Sequence, residues 1–87
     1  MARTSGGLNE LETYDPDRML DEVLHRMRLK SDASLGRLVE ISPPSISKVR
    51  QRHLPVGAIM LIRLHEVSGI SIAELRALMG DSRPKFS

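Results

Sequence analysis

Residues 32–51 read DASLGRLVEISPPSISKVRQ, and their pattern of apolar residues is the clearest structural signal in the chain. Apolar residues recur in it at spacings of three and four: Leu35, Leu38, Val39, Ile46 and Val49. This period is typical of helices with one buried face, and residues 41–43 interrupt it. Only a few non-helical residues fit between the two halves, so the second helix must cross the first rather than continue it. The stretch therefore predicts a helix-turn-helix.

The second helix of this pair carries local positive charge, although the net charge of the whole chain is only +2. The ionised residues between positions 43 and 54 are all basic: Lys48, Arg50 and Arg52. Such a run can be an ordinary solvated face, but on a helix it also indicates phosphate binding. Tyr14 and Phe86 are the only aromatic residues, which disfavours stacking on single-stranded bases. Duplex DNA is the expected partner.

Length and composition indicate one small domain. The chain has 87 residues, enough for a single modest core, and no cysteine, which excludes disulfides and thiolate metal sites. No apolar run approaches the roughly 20 residues of a membrane span, and the first residues lack a signal-peptide core. These features predict a cytoplasmic protein with no membrane association.

Start and stop signals divide the chain into a flexible N-terminal arm at residues 1–14, a folded domain at residues 15–81 and a flexible tail at residues 82–87. Capping residues precede four of the expected helices: Asp15, Ser31, Ser42 and Ser71. Five helices are predicted, at residues 16–29, 33–40, 43–50, 56–67 and 72–79. The third can also begin one residue later, because Pro44 disfavours helical angles at the residue before it.

Two helices have features that one buried stripe does not explain. Gly36 lies inside the second helix, where glycine costs about 0.5–1 kcal/mol relative to alanine, and this predicts a close approach by the third helix. The fourth helix is apolar around most of its circumference. It is either a central core helix or a helix with one face against a second subunit.

With these elements in place, the chain resembles the DNA-binding domains of the phage repressor and Cro family. The residues that carry the resemblance are Leu35, Gly36, Val39, Ile41, Ser42, Ile46, Val49 and Leu64, with GISIAEL at positions 69–75. The resemblance implies an all-α, compact five-helix lambda-repressor-like domain with the helix-turn-helix at helices 2 and 3. Glu40 departs from the family, which usually has glycine at this turn. A left-handed Glu40 would cost roughly 1–2 kcal/mol, or the turn would differ.

The resemblance also implies which residues meet DNA. The base-facing set comprises Pro43, Pro44, Ser45, Ser47 and Lys48. Prolines cannot donate hydrogen bonds but can pack on thymine methyl groups, and Lys48 can read guanine. The set expected at the sugar-phosphate backbone comprises Ser31, Arg37, Gln51, Arg52 and His53. Asp32 lies beside them as an unfavourable charge.

These features predict a sequence-specific double-stranded DNA-binding transcriptional regulator. It is expected to be a repressor that acts as a homodimer on an operator in a bacterial nucleoid or a phage-infected host. The alternative is a protein-interaction module, such as an antitoxin or adaptor, that uses the helix-turn-helix fold as a scaffold. No enzyme, cofactor or metal site is expected, because no nucleophile has a nearby base in the sequence. Glu22 and His25 have a metal-site spacing but lack further ligands.

Overall fold

A computed structural model describes residues 13–81, and within that range the chain forms five α-helices and no β-strand. The helices are α1 (Pro16–Met27), α2 (Asp32–Val39), α3 (Pro43–Arg50), α4 (Ala58–Ser68) and α5 (Ile72–Leu78). The predicted all-α class and the order of five helices are confirmed. None of these helices is long and apolar enough to cross a membrane.

Side-chain caps explain where four of the helices begin. Each capping oxygen accepts a hydrogen bond from the backbone N–H three residues later, at Asp15, Ser31, Ser42 and Ser71. At α3 the cap is followed directly by Pro43 as the first helical residue, so the earlier of the two expected starts is the observed one. Helix α4 differs, because its N-cap is Gly57 and no side chain caps it.

All five helices contribute to one core. Its fully buried side chains include Met19, Leu20 and Val23 of α1, Leu35 of α2, Ile46 of α3, Leu64 of α4 and Leu75 of α5. On α3 the buried residues are Ile46 and Val49, three positions apart on one face. The opposite face of this short helix is therefore left toward solvent.

Gly36 of α2 lies close to the backbone of the turn before α3 and to a side chain of α3. A Cβ atom on Gly36 would lie 2.5 Å from the carbonyl oxygen of Ile41 and 3.4 Å from Cδ1 of Ile46. Glycine is therefore required by the backbone of the turn that leads into α3, whereas the expected close approach was by α3 itself, whose Ile46 lies only at ordinary contact distance. The backbone N–H of Ile41 also donates to the carbonyl of Gly36 over 3.0 Å.

The turn between α2 and α3 passes through a left-handed residue. Glu40 has φ 59° and ψ 41°, so the conformation that glycine usually supplies is adopted by glutamate. The left-handed conformation of Glu40 costs about 1–2 kcal/mol. Two hydrogen bonds from α4 offset this cost, because Nη1 of Arg63 donates to the carbonyls of Val39 and Glu40, each over 3.2 Å. A guanidinium therefore caps the C-terminal end of α2.

Residues 13 and 14, which were expected to belong to the flexible N-terminal arm, pack against the domain. Tyr14 is only 2% exposed and belongs to the core. Thr13 donates from Oγ1 to the carbonyl of Gly80, and the N–H of Asp15 donates to the carbonyl of Met79 over 2.7 Å. Residues 13–15 are thus fastened to the end of α5 by hydrogen bonds as well as by burial. The rest of the predicted arm and the tail at residues 82–87 lie outside the described residues.

Leu38, which belongs to the apolar pattern of α2, and Ile72 of α5 are both exposed. Leu38 is 48% exposed because the approach of α3 at Gly36 turns the buried face of α2 toward Leu35, Gly36 and Val39. Ile72 is 38% exposed, and Ile70, which precedes the cap of α5, is buried in the core. Periodicity alone did not distinguish these neighbouring positions.

The close contact at Gly36 gives a stability prediction. Gly36→Ala should lower the free energy of unfolding by about 1–3 kcal/mol, because the new methyl group meets a backbone oxygen that cannot rotate away. Urea denaturation measures the change. Gly57→Ala is the control, since a Cβ there has nothing within 4 Å, and it should cost less than about 1 kcal/mol. Equal losses in the two variants would contradict the close approach.

Candidate nucleic-acid interface

The solvent-facing side of α3 contains the residues expected to meet bases. Pro43, Pro44 and Lys48 are exposed, whereas Ser45 and Ser47 are partly buried at the edge of the helix. Ile46 and Val49, on the inner side, are almost completely buried and anchor the helix to the core. The structure therefore brings all five predicted base-facing residues onto one short element, with Lys48 the longest exposed side chain among them.

The two serines already have hydrogen-bond partners within the helix. Oγ of Ser45 lies 2.9 Å from Oγ of the capping Ser42, and Oγ of Ser47 accepts from Nε2 of Gln51 over 3.3 Å. A hydroxyl can accept two hydrogen bonds and donate one, so these contacts orient the groups without exhausting them. Ser45 and Ser47 can still donate or accept at the surface.

Residues predicted for the phosphate backbone lie at both ends of α3. Gln51, Arg52 and His53 follow its last turn and are exposed. Arg37 lines a shallow groove of about 420 Å³ between α2 and the start of α3, together with Pro43. Ser31 is exposed at the start of α2, where its Oγ caps that helix. The eight residues of α3 span about 12 Å along the helix axis.

The turn after α3 holds Arg52 in a defined conformation. Its φ is 65°, and its backbone N–H donates to the carbonyl of Val49 over 3.0 Å. The N–H groups of His53 and Leu54 both donate to the carbonyl of Lys48, over 2.8 and 3.2 Å. The backbone that carries Arg52 is therefore tied to the C-terminal end of α3.

Arg50 does not belong to the exposed basic surface, and its assignment to that surface was wrong. Its side chain is only 20% exposed and faces α1 and α2. Nε and Nη2 bind the two oxygens of Asp32 over 2.8 and 3.0 Å, while Nη1 binds Asp17 and Asp21 over 2.8 and 2.9 Å. The hydrogen bonds with Asp32, joined by those with Asp17 and Asp21, raise the pKa of Arg50 above its ordinary value. Arg50 thus stays charged and joins three helices.

Asp32 has a structural role in this network. It lies in the first turn of α2, where a negative charge is favoured by the helix dipole, and it forms the bidentate pair with Arg50. Asp17 and Asp21 are more than half exposed on α1 and keep much of their hydration. The excess negative charge of this network therefore lies on α1, at Asp17 and Asp21, and not on the outer face of α3.

Three cations on the outer side of α3 and around it remain available. Within residues 13–81, the side chains of Arg37, Lys48 and Arg52 form no ion pair and no hydrogen bond. Arg28 and Lys30, which follow α1, are also exposed without a partner in that range. Several other basic side chains are occupied: Arg18 by carbonyls of α5, Arg26 by Glu22 and Glu74, and Arg63 by the end of α2. One acidic residue, Glu40, lies at the edge of this basic surface, where it lines the same groove as Arg37.

Glu22 and His25 do not form a metal-ligand pair in this structure. Oε2 of Glu22 instead accepts from Nε of Arg26 over 2.7 Å, and His25 is exposed. The hydrogen bond from Arg26 lowers the pKa of Glu22, so the small stabilisation it gives is lost as pH falls through the folded-state pKa. In the described part of the chain, no three His, Cys, Asp or Glu side chains gather as metal ligands.

Arg63 and the aspartates of α1 were missed by sequence reasoning. Arg63 lies 23 residues from the Glu40 carbonyl that it caps, and Asp17 lies 33 residues from Arg50. Helical spacing predicts contacts only within one helix. The one available signal was the pair of aspartates in the first half of α1, Asp17 and Asp21, which the helix dipole also favours.

Comparison of the chain with protein-family models, with curated proteins and with solved structures finds no match. The resemblance to the phage repressor and Cro family therefore stays a prediction. Any function assigned to α3 rests on the geometry and charge of that helix and its neighbours.

The Arg50 network gives a second stability prediction. Arg50→Met should lower the free energy of unfolding by about 1–3 kcal/mol, because it leaves three carboxylates close together without their cation. Thermal denaturation monitored by circular dichroism measures the loss. Arg52→Met removes the same charge from an exposed side chain two residues away and should change stability by less than about 0.5 kcal/mol. Two variants of equal stability would show that the network contributes nothing.

Proposed function

We propose that this chain binds double-stranded DNA through the outer face of α3 and regulates transcription as a homodimer. The observation that carries the proposal is the division of charge on α3. Its one paired cation, Arg50, points inward, while Lys48 and the neighbouring Arg37 and Arg52 are exposed without an ion pair among the described residues. A helix with no acid of its own, one free cation on its outer face and two more beside it is suited to a phosphate-lined groove.

The exposed residues divide into two roles under this proposal. Arg37 of α2, which lines the same groove as Pro43, and Arg52, just past the end of α3, would contact phosphates on either side of the DNA groove. Lys48 lies on the exposed face of α3 and would reach the acceptors of guanine. Pro43 and Pro44 offer apolar contact to thymine methyl groups. Phosphate contacts would set the position of the helix, and Lys48 would supply base preference.

The short length of α3 is the reason for proposing a homodimer. Helix α3 has eight residues, and a single helix of this length buries less surface than specific DNA complexes need. Two copies on a palindromic site, with half-sites about one helical turn apart, double the contacts and the sequence read. Repression by occupying an operator is the simplest mode of action for such a dimer.

A second candidate, a protein-interaction module such as an antitoxin or adaptor, is favoured by the exposed apolar residues. Leu38, Ile59 and Ile62 are all at least 45% exposed, and exposed apolar patches mark protein-interaction sites when they are contiguous. This candidate predicts a stable complex with another protein and no salt-dependent DNA binding. The DNA-binding proposal does not require these three residues to contact DNA, so the two functions can be separated experimentally.

The salt dependence of DNA binding tests the proposal. Fluorescence anisotropy with a random-sequence duplex, at NaCl concentrations from about 50 to 200 mM, should give a linear fall of log K with log salt. Arg52→Ala should reduce the magnitude of the slope by about 0.9, because one phosphate contact is lost.

The matched control is Arg28→Ala. Arg28 is also an exposed arginine with a positive φ, at the end of α1, so the substitution removes the same charge from the same kind of backbone. It should leave the slope unchanged. The proposal is wrong if the wild-type protein does not bind duplex DNA, or if both variants change the slope equally.

A further inference from the structure

One face of α4 is apolar and exposed in this domain. Ile59 is 64% exposed and Ile62 is 45% exposed, and their spacing of three places them on the same side of the helix. Glu66, four residues after Ile62, is exposed on that side as well. The opposite side of α4 holds the buried Met60 and Leu64. We call the face formed by Ile59, Ile62 and Glu66 the α4 stripe.

We infer that the α4 stripe is the surface on which a second copy of this chain docks, with the two α4 helices antiparallel and the two-fold axis passing beside Ile62. The inference supplies the interface that the proposed dimer requires, and it can be tested without DNA. In this arrangement Ile62 packs on Ile62 of the partner subunit, and Ile59 lies toward the C-terminal half of the partner's helix.

Charge complementarity selects a second copy and an antiparallel direction. Helix α4 begins at Gly57 without a side-chain cap and has no acidic residue in its first turn, so its exposed backbone N–H groups carry uncompensated positive potential. Within the described range, Glu66 at the other end of the stripe forms no ion pair. Centring the pair on Ile62 brings Glu66 opposite Ala58 of the partner subunit, beside that uncapped end.

The parallel alternative is disfavoured by the same charges. A parallel pair would place Glu66 against Glu66 of the partner subunit and one uncapped N-terminus against the other, so both ends would repel. In the antiparallel pair the contact between Glu66 and the uncapped N-terminus of the partner's α4 forms twice, because a two-fold axis repeats every contact. The stripe is thus complementary to itself only in one direction.

The size of the stripe indicates a weak dimer. Two partly exposed isoleucines offer much less than the roughly 800 Å² per partner of a stable protein interface. A dissociation constant on the order of 0.1 mM is expected for the free protein. Binding to two adjacent half-sites would raise the effective concentration of one copy around the other and complete the pairing on DNA.

Sedimentation equilibrium up to about 1 mM protein tests the inference. The wild type should shift from the 9.7 kDa monomer toward twice that mass as concentration rises. Ile62→Glu should raise the dissociation constant by more than about tenfold, because it buries a charge at the axis. Ile72→Glu places the same charge at an exposed isoleucine of α5, outside the stripe, and should leave it unchanged. Circular dichroism confirms that both variants fold.

Oxidative cross-linking of single-cysteine variants tests the direction, since the chain contains no natural cysteine. Ile62→Cys should form a disulfide-linked dimer under mild oxidation. Ile59→Cys should not, because an antiparallel pair separates the two copies of position 59 by about 9 Å along the helix axis, beyond the roughly 7 Å limit between Cα atoms.

Three results would overturn the inference. A monomer at every concentration would show that the stripe is not covered by a second copy. Loss of the dimer in Ile72→Glu but not in Ile62→Glu would place the interface elsewhere. Equal cross-linking of Ile59→Cys and Ile62→Cys would make the pair parallel. A dimer with the predicted properties but no DNA binding would sustain this inference and reject the proposed function.

Discussion

The position of α3 depends on the side chain of Arg50. Its fork binds both oxygens of Asp32 on α2, and its remaining nitrogen binds Asp17 and Asp21 on α1. One guanidinium thereby links three short helices, α1, α2 and α3. Because the geometry is bidentate, it specifies direction as well as distance. Helix α3 is held at its C-terminal end by charge and along its inner face by Ile46 and Val49.

The start of α3 is held by a different set of contacts. The absence of a side chain at Gly36 lets the chain turn tightly at Glu40, and Arg63 of α4 caps the carbonyls of that turn. Because both ends of α3 are held, its backbone loses little conformational entropy when the outer face binds a partner. The same contacts remove Arg50 and Arg63 from the surface. The basic surface is therefore narrower than the number of basic residues suggests, and it centres on Lys48.

Much of the fold could be predicted from the sequence, because caps and helical periods are local signals. Ser42 and Pro43 set the start of α3 within one residue, and Gly36 indicated a close approach, which the structure places at the Ile41 carbonyl in the turn before α3. The sequence could not indicate that Arg50 is paired, because its partners on α1 lie about thirty residues away. Nor could periodicity distinguish Leu38 from Val39, since which of two adjacent residues is buried depends on the direction from which α3 approaches.

An NMR titration of the ¹⁵N-labelled protein with a short duplex tests the proposed contact between DNA and the outer face of α3. That contact predicts amide shifts at residues 45–53 and at Arg37, while those of α5 stay unchanged. Shifts confined to the α4 stripe and α5, or no shifts at any DNA concentration, would contradict it and would favour a protein partner instead.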